Sequence, residues 1–212
     1  MAGRFFYLFF RTNEMTSRVL LRKKVRLRRQ QLSSKEQLQA SEKLLLRLSS
    51  HKKVQAAQSI ALYLSNDGEL DTHLFIKWCW QQNKKVFLPV IHPFCPGHLL
   101  FLQYEECTPM IKNCYGITEP KLNVATVCPI NQLDMLCTPL VAFDNTGARL
   151  GMGGGFYDRA LANWHAKSLP YPIGIAHNCQ QVEHIPTECW DIPLPEIITP
   201  TRRIKFQSVR SK

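Results

Sequence analysis

Glycine is scarce in this chain, and its few glycines are unevenly placed. Only 10 of the 212 residues are glycine, yet four of these fall within residues 151–155, inside the stretch RLGMGGGFYD at 149–158. No Gly-Lys-Ser or Gly-Lys-Thr follows, and the spacing does not fit the dinucleotide fingerprint, so two common nucleotide motifs are excluded. Glycines still let successive amide N–H groups converge on an anion, which predicts a phosphate-binding turn. A tight strand-to-helix connection that needs only small residues is the alternative.

Charged residues flank these glycines. Arg149 precedes them and could brace a phosphate, while Asp158 falls in the first turn of the helix predicted to begin there and to aim its N-terminus at the ligand. A carboxylate at that point would repel a phosphate unless a cation lay between them, so Asp158 suggests magnesium. Complementarity between an acid and the helix dipole would explain Asp158 equally well.

The chain also lacks paired cysteines and long apolar runs. Its eight cysteines form no Cys-x-x-Cys pair, which predicts reduced thiols in a cytoplasmic protein. His92, Cys95 and His98 have a spacing that a metal could use, but no fourth ligand is evident, so zinc is disfavoured. The apolar run at residues 5–10 is far shorter than a membrane span of ~18 residues and has no small-residue cleavage site, so we expect no membrane association.

Acidic residues are outnumbered, with 16 against 27 Lys and Arg and a formal net charge of +11. The excess is concentrated at the front, because residues 1–30 hold nine Lys or Arg and one acid, whereas residues 31–212 hold 18 and 15. Aromatic residues do not interleave with the basic run at 18–30, so a stacking platform for single strands is missing there. Nucleic acid is a disfavoured partner, and a basic RNA-binding or regulatory module remains as an alternative.

Two helices are predicted before the first strand. The first spans residues 18–30 and carries Arg18, Arg22, Arg26 and Arg29 on one face. Such a row of like charges suits an anion, or it is a solvated face balanced by acids of the next helix.

The second predicted helix starts at a capping box formed by Ser33 and Glu36 and runs to residue 49. Its apolar stripe is predicted to consist of Leu38, Leu44, Leu45 and Leu48.

Strands are predicted at 60–64, 85–90, 99–104, 133–143 and 173–176, with helices at 71–82 and 157–166. The strand-helix-strand order over 60–90 predicts parallel pairing, and the strand at 99–104 is expected to return antiparallel. The fold class is therefore α/β, a three-layer α/β/α arrangement with a mixed, mostly parallel central sheet preceded by two N-terminal helices. Ligands bind such sheets beyond the carboxyl ends of strands, where the glycine turn, residues 67–69 and His177 fall.

The length suits one full core. We expect residues 1–16 to be a disordered extension, 17–205 a single domain and 206–212 a basic tail, with the protein a monomer. Met15 is an alternative start, because organised pattern begins only at Ser17.

Three motifs in this order resemble the 5-formyltetrahydrofolate cyclo-ligase family, also called methenyltetrahydrofolate synthetases. They are the basic helix from Arg18, LSNDGELDT at 64–72 and RLGMGGGFYD at 149–158, and the resemblance covers about residues 17–200. It implies magnesium- and ATP-dependent closure of 5-formyltetrahydrofolate to 5,10-methenyltetrahydrofolate, with ADP and phosphate released. The formyl oxygen would be phosphorylated, nitrogen 10 would attack and phosphate would depart, without a covalent protein nucleophile.

The resemblance also implies roles for individual positions. ATP contacts are implied for Arg18, Arg22, Arg149, Leu150, Gly151, Met152, Gly153, Gly154, Gly155, Phe156 and Tyr157. Folate contacts are implied for Leu64, Glu69, Met152, Gly153, Gly154, Gly155 and Phe156. Asp158 and Asp191 match magnesium positions, and we expect Arg149 to act in catalysis by stabilising charge on the transferring phosphoryl group.

The chain departs from the family pattern at three positions. Arg18 stands where the family usually has lysine, and some members have basic side chains where Met152 and Gly154 stand. These differences leave ATP affinity and the preference for a glutamate tail open. An enzyme of the same fold with another second substrate is the remaining alternative, because the nucleotide loop does not fix that substrate.

Overall fold

The computed structural model describes residues 17–206. The predicted extension at 1–16 and the predicted basic tail beyond Phe206 lie outside the described residues. The single-domain interpretation of residues 17–205 stays a prediction.

Three helices come first, and strands then dominate the described chain. The helices are α1 (17–30), α2 (Ser34–Ser49), α3 (Lys52–Ala56), α4 (His73–Gln81), α5 (Phe156–Leu161) and α6 (Trp164–Lys167). The strands are β1 (Ser59–Ala61), β2 (Lys85–Ile91), β3 (Leu99–Gln103), β4 (Met110–Lys112), β5 (Thr118–Pro120), β6 (Val127–Cys128), β7 (Met135–Pro139), β8 (Ala142–Phe143), β9 (Arg149–Leu150), β10 (Tyr171–Ile175), β11 (Glu196–Ile198) and β12 (Arg203–Lys205).

The main sheet has eight strands in the order β12-β11-β10-β7-β1-β2-β3-β6. Neighbours from β11 to β2 pair in parallel, whereas β12, β3 and β6 pair antiparallel at the two sides. The predicted parallel pairing of β1 with β2 and the antiparallel return of β3 are both confirmed. The chain order reverses at β1, since β2 lies on one side of it and β7 on the other.

Side chains alternate between the two faces of the sheet, as the strand period of two requires. Ile60 of β1 and Met135 of β7 belong to one core, and their neighbours Ala61 and Leu136 belong to the opposite core. Helices α2, α3 and α4 cover the first face, and α5 and α6 cover the second. The predicted three-layer α/β/α fold with a mixed, mostly parallel sheet and two leading helices is confirmed.

Helix α1 packs on a separate antiparallel hairpin made of β8 and β9. Its residues Leu21 and Val25, one turn apart, contact a small core that includes Val141 and Leu150. Because this apolar stripe faces the hairpin, the arginines of α1 lie beside the glycine-rich segment that follows β9.

Two predicted elements are wrong as continuous units. The strand at 133–143 ends at Pro139, which has no amide N–H to continue a ladder, and residues 142–143 pair with β9 instead. The helix at 157–166 is interrupted between α5 and α6, where the N–H of Ala162 bonds to the carbonyl of Arg159 at 3.3 Å and tightens the last turn of α5.

The capping box of Ser33 and Glu36 is confirmed, but the predicted apolar stripe of α2 is partly wrong. Leu44 and Leu48 are fully buried, whereas Leu38 is 57% exposed. At 100° per residue, Leu38 lies about 120° around the helix from Leu44 and so points away from the sheet. No helix among residues 17–206 is both long and apolar enough to cross a membrane.

Candidate functional site

A cleft of about 1220 Å³ opens at the carboxyl ends of β1, β2 and β7. Leu64 follows β1, Pro89 lies near the end of β2 and Leu140 follows β7, and all three line the cleft. Parallel sheets bind ligands at the point where the strand order reverses. The cleft therefore lies at the edge of the sheet where the sequence predicts a ligand site.

The glycine loop, residues 151–155, forms one wall of the cleft. Gly153 and Gly155 have φ values of 104° and 66°, a region that favours glycine. No hydrogen bond within residues 17–206 uses an amide N–H of this loop as its donor. Helix α5, which starts after Gly155, has only six residues, so the anion-binding capacity lies mainly in these amides rather than in a long helix dipole.

Two guanidinium groups bind carbonyl oxygens of the glycine loop. Arg22 of α1 donates from Nε to the carbonyl of Gly151 at 2.8 Å, and Arg159 of α5 donates to the carbonyl of Gly154. These bonds fix two carbonyls of the loop, and none of them involves the loop amides, which stay available to a ligand. Arg22 lines the cleft and forms no ion pair with any residue in 17–206, so its charge is available to an anion.

Arg149 is buried at the base of the glycine loop. Its Nη2 contacts Oδ1 of Asp158 at 2.7 Å, and its side chain is 2% exposed. Burial lowers the pKa of Arg149, while the Asp158 charge acts in the opposite direction. Its Nε is buried without a hydrogen-bond partner among residues 17–206. An unsatisfied buried donor is costly and marks a candidate binding group.

Asp191 and Arg18 form a bidentate pair across the cleft mouth. Nη1 of Arg18 lies 2.6 Å from Oδ2 of Asp191, and Nη2 lies 3.1 Å from Oδ1. The amide of Glu188 also donates to Asp191 Oδ2, at 2.8 Å. This pair joins α1 to the segment that precedes β11, with both side chains lining the cleft.

Glu69 and Asp67 belong to the loop that follows β1. Arg29 of α1 is fully buried and bonds to Asp67 Oδ2 at 2.8 Å, while Glu69 lies 3.9 Å from the same guanidinium nitrogen. Hydrogen bonds from Arg26 and Arg29 lower the pKa of Asp67 to about 2. Burial raises the pKa of Glu69 to about 7, although the Arg29 charge opposes it. Glu69 can therefore hold or accept a proton near neutral pH.

A two-stranded hairpin of β4 and β5 also lines the cleft. The ring of Tyr115 lies 6.3 Å from the ring of Phe156 in an edge-to-face arrangement. Glu119 accepts hydrogen bonds on Oε2 from Asn113 Nδ2 at 2.9 Å and from the amide of Ile91 at 3.2 Å. The cleft is thus lined both by arginines beside the loop amides and by the aromatic side chains of Tyr115 and Phe156.

Comparison with known proteins decides the family. A family model described as the 5-formyltetrahydrofolate cyclo-ligase family matches residues 14–200. The chain belongs to this family. Because the cyclo-ligase family consists of ligases, the expectation that the protein is an enzyme is confirmed.

Relatives in this cyclo-ligase family match over most of their length. The 5-formyltetrahydrofolate cyclo-ligase of Haemophilus influenzae is 51% identical over 178 residues, which is 84% of this chain and 95% of that protein. The enzyme of the same name from Escherichia coli K12 is 49% identical, covering 84% of this chain and 97% of its own. The NMR structure of Aquifex aeolicus 5,10-methenyltetrahydrofolate synthetase superposes with a TM-score of 0.77 at 28% identity, covering 92% of this chain and 95% of that one.

The cleft of this cyclo-ligase family member brings together nearly all of the site residues predicted from sequence. Those that line it are Arg18, Arg22, Leu64, Glu69, Arg149, Gly151, Met152, Gly153, Gly154, Gly155, Phe156, Tyr157, Asp158 and Asp191. Leu150 is the exception, since it is fully buried against Val25 and Ile185. Successive residues of a strand face opposite ways, so Arg149 faces the cleft while Leu150 faces α1.

Two kinds of metal site were considered from the sequence, a magnesium site at Asp158 and Asp191 and a zinc site in the 92–98 turn. Within residues 17–206, no group of three or more His, Cys, Asp or Glu side chains is arranged to hold a metal ion. In the 92–98 turn, His92 Nδ1 accepts hydrogen bonds from the amides of Phe94 and Cys95 at 3.1 and 3.0 Å. Asp158 and Asp191 are both in the cleft, each paired with an arginine.

The arginine stripe of α1 is neither a solvated face nor balanced by the next helix. Arg18 pairs with Asp191, and Arg26 and Arg29 pair with Asp67, so the acids come from loops at the sheet edge. This use of the charge within the chain weakens the premise of a basic RNA-binding helix, although nucleic-acid binding itself stays untested.

Three features of the cleft and its surroundings were not predicted from sequence, and one residue expected at the strand ends does not line the cleft. Arg159 and the β4–β5 hairpin received no role, although Asn113 and Gly116 carry a recognisable turn signal. The link between Arg29 and Asp67 was also missed, because it joins residues 38 positions apart. His177 is buried behind the strand ends and is not among the residues lining the cleft. Burial and the Arg29 charge lower its pKa to about 4.

Proposed function

We propose that this protein converts 5-formyltetrahydrofolate to 5,10-methenyltetrahydrofolate, using ATP and magnesium and releasing ADP and phosphate. The observation that carries the proposal is the content of one cleft. Within residues 17–206, it combines an arginine that forms no ion pair, a loop whose amides donate no hydrogen bond, a buried arginine whose Nε has no partner, and a carboxyl group with a pKa of about 7. Membership in the cyclo-ligase family supports the same reaction.

The glycine loop and Arg22 are suited to the phosphates of ATP. Amides that converge on a concavity bind anions without a side chain in the way, and a guanidinium adds directed donors to phosphate oxygens. Arg22 is already oriented by its bond to Gly151, so little side-chain entropy is lost when it meets the nucleotide. Arg18 is the second cation on the same helix face, one turn earlier.

The residues present fit a magnesium ion that is shared with a nucleotide. Magnesium usually takes one or two carboxylates together with phosphate oxygens rather than an all-protein cage. Within residues 17–206, Oδ1 of Asp158 accepts hydrogen bonds from Arg149 and from the amide of Ile192. Asp158 and Asp191 would hold the ion, which would neutralise charge on the phosphates and polarise the transferred group.

The folate is proposed to bind between Glu69 and the aromatic edges of Phe156 and Tyr115. A carboxylate matches the N–H donors of a pterin ring, and aromatic side chains suit the flat apolar faces of the substrate. A carboxyl group with a pKa near 7 exists in both protonation states at working pH. Glu69 is the titrating group that this geometry offers to the pterin.

The chemistry requires positioning and charge stabilisation rather than a protein nucleophile. The formyl oxygen attacks the γ-phosphorus and ADP leaves, so the oxygen becomes part of a phosphate leaving group. Nitrogen 10 then attacks the formyl carbon, its proton is released and phosphate departs with the former formyl oxygen. Arg149 is proposed to stabilise the charge on the transferring phosphoryl group, through donors that are held in place before reaction.

The experiment is an absorbance assay for the methenyl product with purified protein, 5-formyltetrahydrofolate, ATP and magnesium. Parallel samples omit each component in turn. Product is expected only in the complete mixture. Product formed without ATP would contradict the proposal. The absence of product in the complete mixture, while ATP still binds, would also contradict it and would favour an enzyme with another second substrate.

Asp158→Asn tests the magnesium assignment in the same assay. The variant is expected to lose most magnesium-dependent turnover, because one of the two proposed carboxylates loses its charge. Full turnover with an unchanged magnesium requirement would remove Asp158 from the metal site.

We propose further that the enzyme works as a monomer in the cytoplasm. All eight cysteines, residues 79 to 189, are free thiols in the structure, which is the state a reducing compartment maintains.

A further inference from the structure

Arg159 connects the glycine loop to a turn next to the cleft. It lies in α5, and its Nε donates to the carbonyl of Gly97 at 2.6 Å while Nη2 donates to the carbonyl of Gly154. Gly154 belongs to the glycine loop, and Gly97 to the turn at 92–98 that joins β2 to β3. Ile91 and Leu99, which flank that turn, line the cleft. One side chain therefore links the nucleotide-facing wall to the wall built on β2 and β3.

The backbone is shaped to receive this guanidinium. Gly97 has a φ of +79°, and a Cβ there would lie 2.7 Å from Arg159 Cζ and 2.9 Å from Nε. A Cβ on Gly155 would lie 2.9 Å from Nη1 of the same side chain. Distances under 3.0 Å are shorter than real Cβ contacts, so a side chain at either glycine would require the Arg159 guanidinium to shift from its present position.

Arg159 also supports an aromatic side chain of the cleft. Its Cζ lies 5.8 Å from the ring centroid of Phe156, within the range of a cation–π contact. Arg159 itself is not among the residues that line the cleft. Its hydrogen bonds go to neutral carbonyls, and it forms no ion pair within residues 17–206.

We propose that Arg159 is a positioning residue that fixes the glycine loop for nucleotide binding by bridging it to the 92–98 turn. Arg22 holds Gly151 from inside the cleft, and Arg159 holds Gly154 from outside, so the loop carbonyls are bound at both ends. The inference rests on the proposed function for its link to ATP. It goes beyond that function in assigning the loop's geometry to a residue that touches no substrate.

Arg159→Ala is expected to raise the KM for ATP about tenfold, with kcat changed less than about twofold, because the amides must be ordered when ATP binds. Arg159→Lys is expected to recover part of the loss, since an ammonium group retains the charge but lacks the guanidinium fork. The folate KM is expected to change little in either variant.

Arg47→Ala is the matched control. Arg47 donates from Nε to the carbonyl of Pro200 at 2.9 Å and from Nη2 to the carbonyl of Thr201, so it is also an arginine that joins two carbonyls, but outside the cleft. Its removal is expected to leave both KM values unchanged.

Hydrogen exchange and direct titration separate this inference from the proposed function. In the presence of ATP and magnesium, the amides of residues 151–155 are expected to exchange faster in Arg159→Ala than in wild type, and titration with ATP and magnesium is expected to show about tenfold weaker binding. Both readouts stand even if wild-type protein fails to form methenyltetrahydrofolate. Unchanged loop exchange and unchanged ATP affinity in Arg159→Ala would overturn the inference. A variant that only has a lower free energy of unfolding than wild type would overturn it as well.

Discussion

Two buried carboxylates, Glu69 and Glu196, lie at opposite edges of the same sheet and behave in opposite ways. Glu69 follows β1 at the carboxyl edge, and burial raises its pKa to about 7. Glu196 starts β11 at the amino edge. Burial alone would raise its pKa too, but hydrogen bonds from His51 and Arg203 outweigh burial and lower it to about 2. Burial by itself therefore does not fix the charge state of either group.

The difference lies in how completely each carboxylate is hydrogen-bonded. Glu196 accepts bonds from His51 Nε2 at 3.2 Å, from Tyr171 Oη at 3.2 Å and from Arg203. His51 Nδ1 accepts from two amides of α3, so Nε2 carries the proton that is donated. Glu69, in contrast, accepts from the amide of Asn66 at 3.1 Å and lies 3.9 Å from Arg29. At the amino edge the Glu196 carboxylate has several hydrogen-bond donors around it, whereas at the carboxyl edge the Glu69 carboxyl group can still bond to a ligand.

The largest expected effect comes from Arg149 at the carboxyl edge. Arg149→Ala is expected to lower kcat/KM by about 100-fold to 1000-fold, because a preorganised donor to the transferring phosphoryl group is lost. Arg149→Lys keeps the charge without the fork and is expected to recover only part of this loss. Steady-state kinetics measures both, and near-wild-type kcat in Arg149→Ala would remove this residue from catalysis.

Opposite pH dependences should follow for Glu69 and Glu196. Below about pH 4.5, Glu69 is protonated in both the folded and the unfolded chain. As the pH rises to about 7, Glu69 ionises in the unfolded chain but stays protonated in the folded chain. The wild type therefore loses stability relative to Glu69→Gln over this pH range. Glu196 stabilises the fold above about pH 4.5, and this contribution is lost as pH falls toward about 2. Each change is on the order of 3 kcal/mol. Urea unfolding of wild type and both Gln variants between pH 3 and 8 measures the two slopes, and slopes of the same sign would break the contrast.

Substrate affinity gives a smaller test of the same contrast. Glu69→Gln is expected to raise the folate KM about tenfold, or about 1.4 kcal/mol, because a neutral amide presents a weaker acceptor to the pterin N–H groups. Its ATP KM is expected to change less than about twofold. Glu196→Gln, measured at pH 7 after circular dichroism has shown that the variant is folded, is expected to leave both KM values unchanged. An equal loss for both ligands in Glu69→Gln would contradict the assigned role.

The smallest expected effect separates two arginines of α1. Arg22→Ala should raise the ATP KM about tenfold, since its unpaired charge is proposed to meet phosphate. Arg26→Ala should change it less than about threefold, because Arg26 is 40% exposed and already paired with Asp67, and exposed pairs contribute about 0–1 kcal/mol. ATP titration measures both, and equal effects would show that the whole stripe acts only through its net charge.

Much of this fold and site could be predicted from sequence because the signals are local. The capping box of α2, the parallel pairing of β1 and β2 and the glycine loop each depend on residues within a short window. Most of the positions matched by family resemblance fall into one cleft, because each of the three short motifs ends a strand or begins a helix.

The remainder depends on long-range contacts. The strand at 133–143 was predicted as one unit because its apolar run is continuous, and only the pairing of β8 with β9 shows where it divides. The partners of Arg18 and Arg29 lie 173 and 38 residues away, so no local pattern could reveal them. The bridge from Arg159 to Gly97 spans 62 residues and was missed for the same reason.

The central claim is that the cleft couples phosphoryl transfer from ATP to ring closure. The most direct test measures the amounts of methenyltetrahydrofolate and ADP that the wild-type protein forms in the same reaction. We expect equal amounts of both products, and no ADP when 5-formyltetrahydrofolate is omitted. ADP formed at the same rate without the folate, or methenyl product formed in excess of ADP, would contradict the claim.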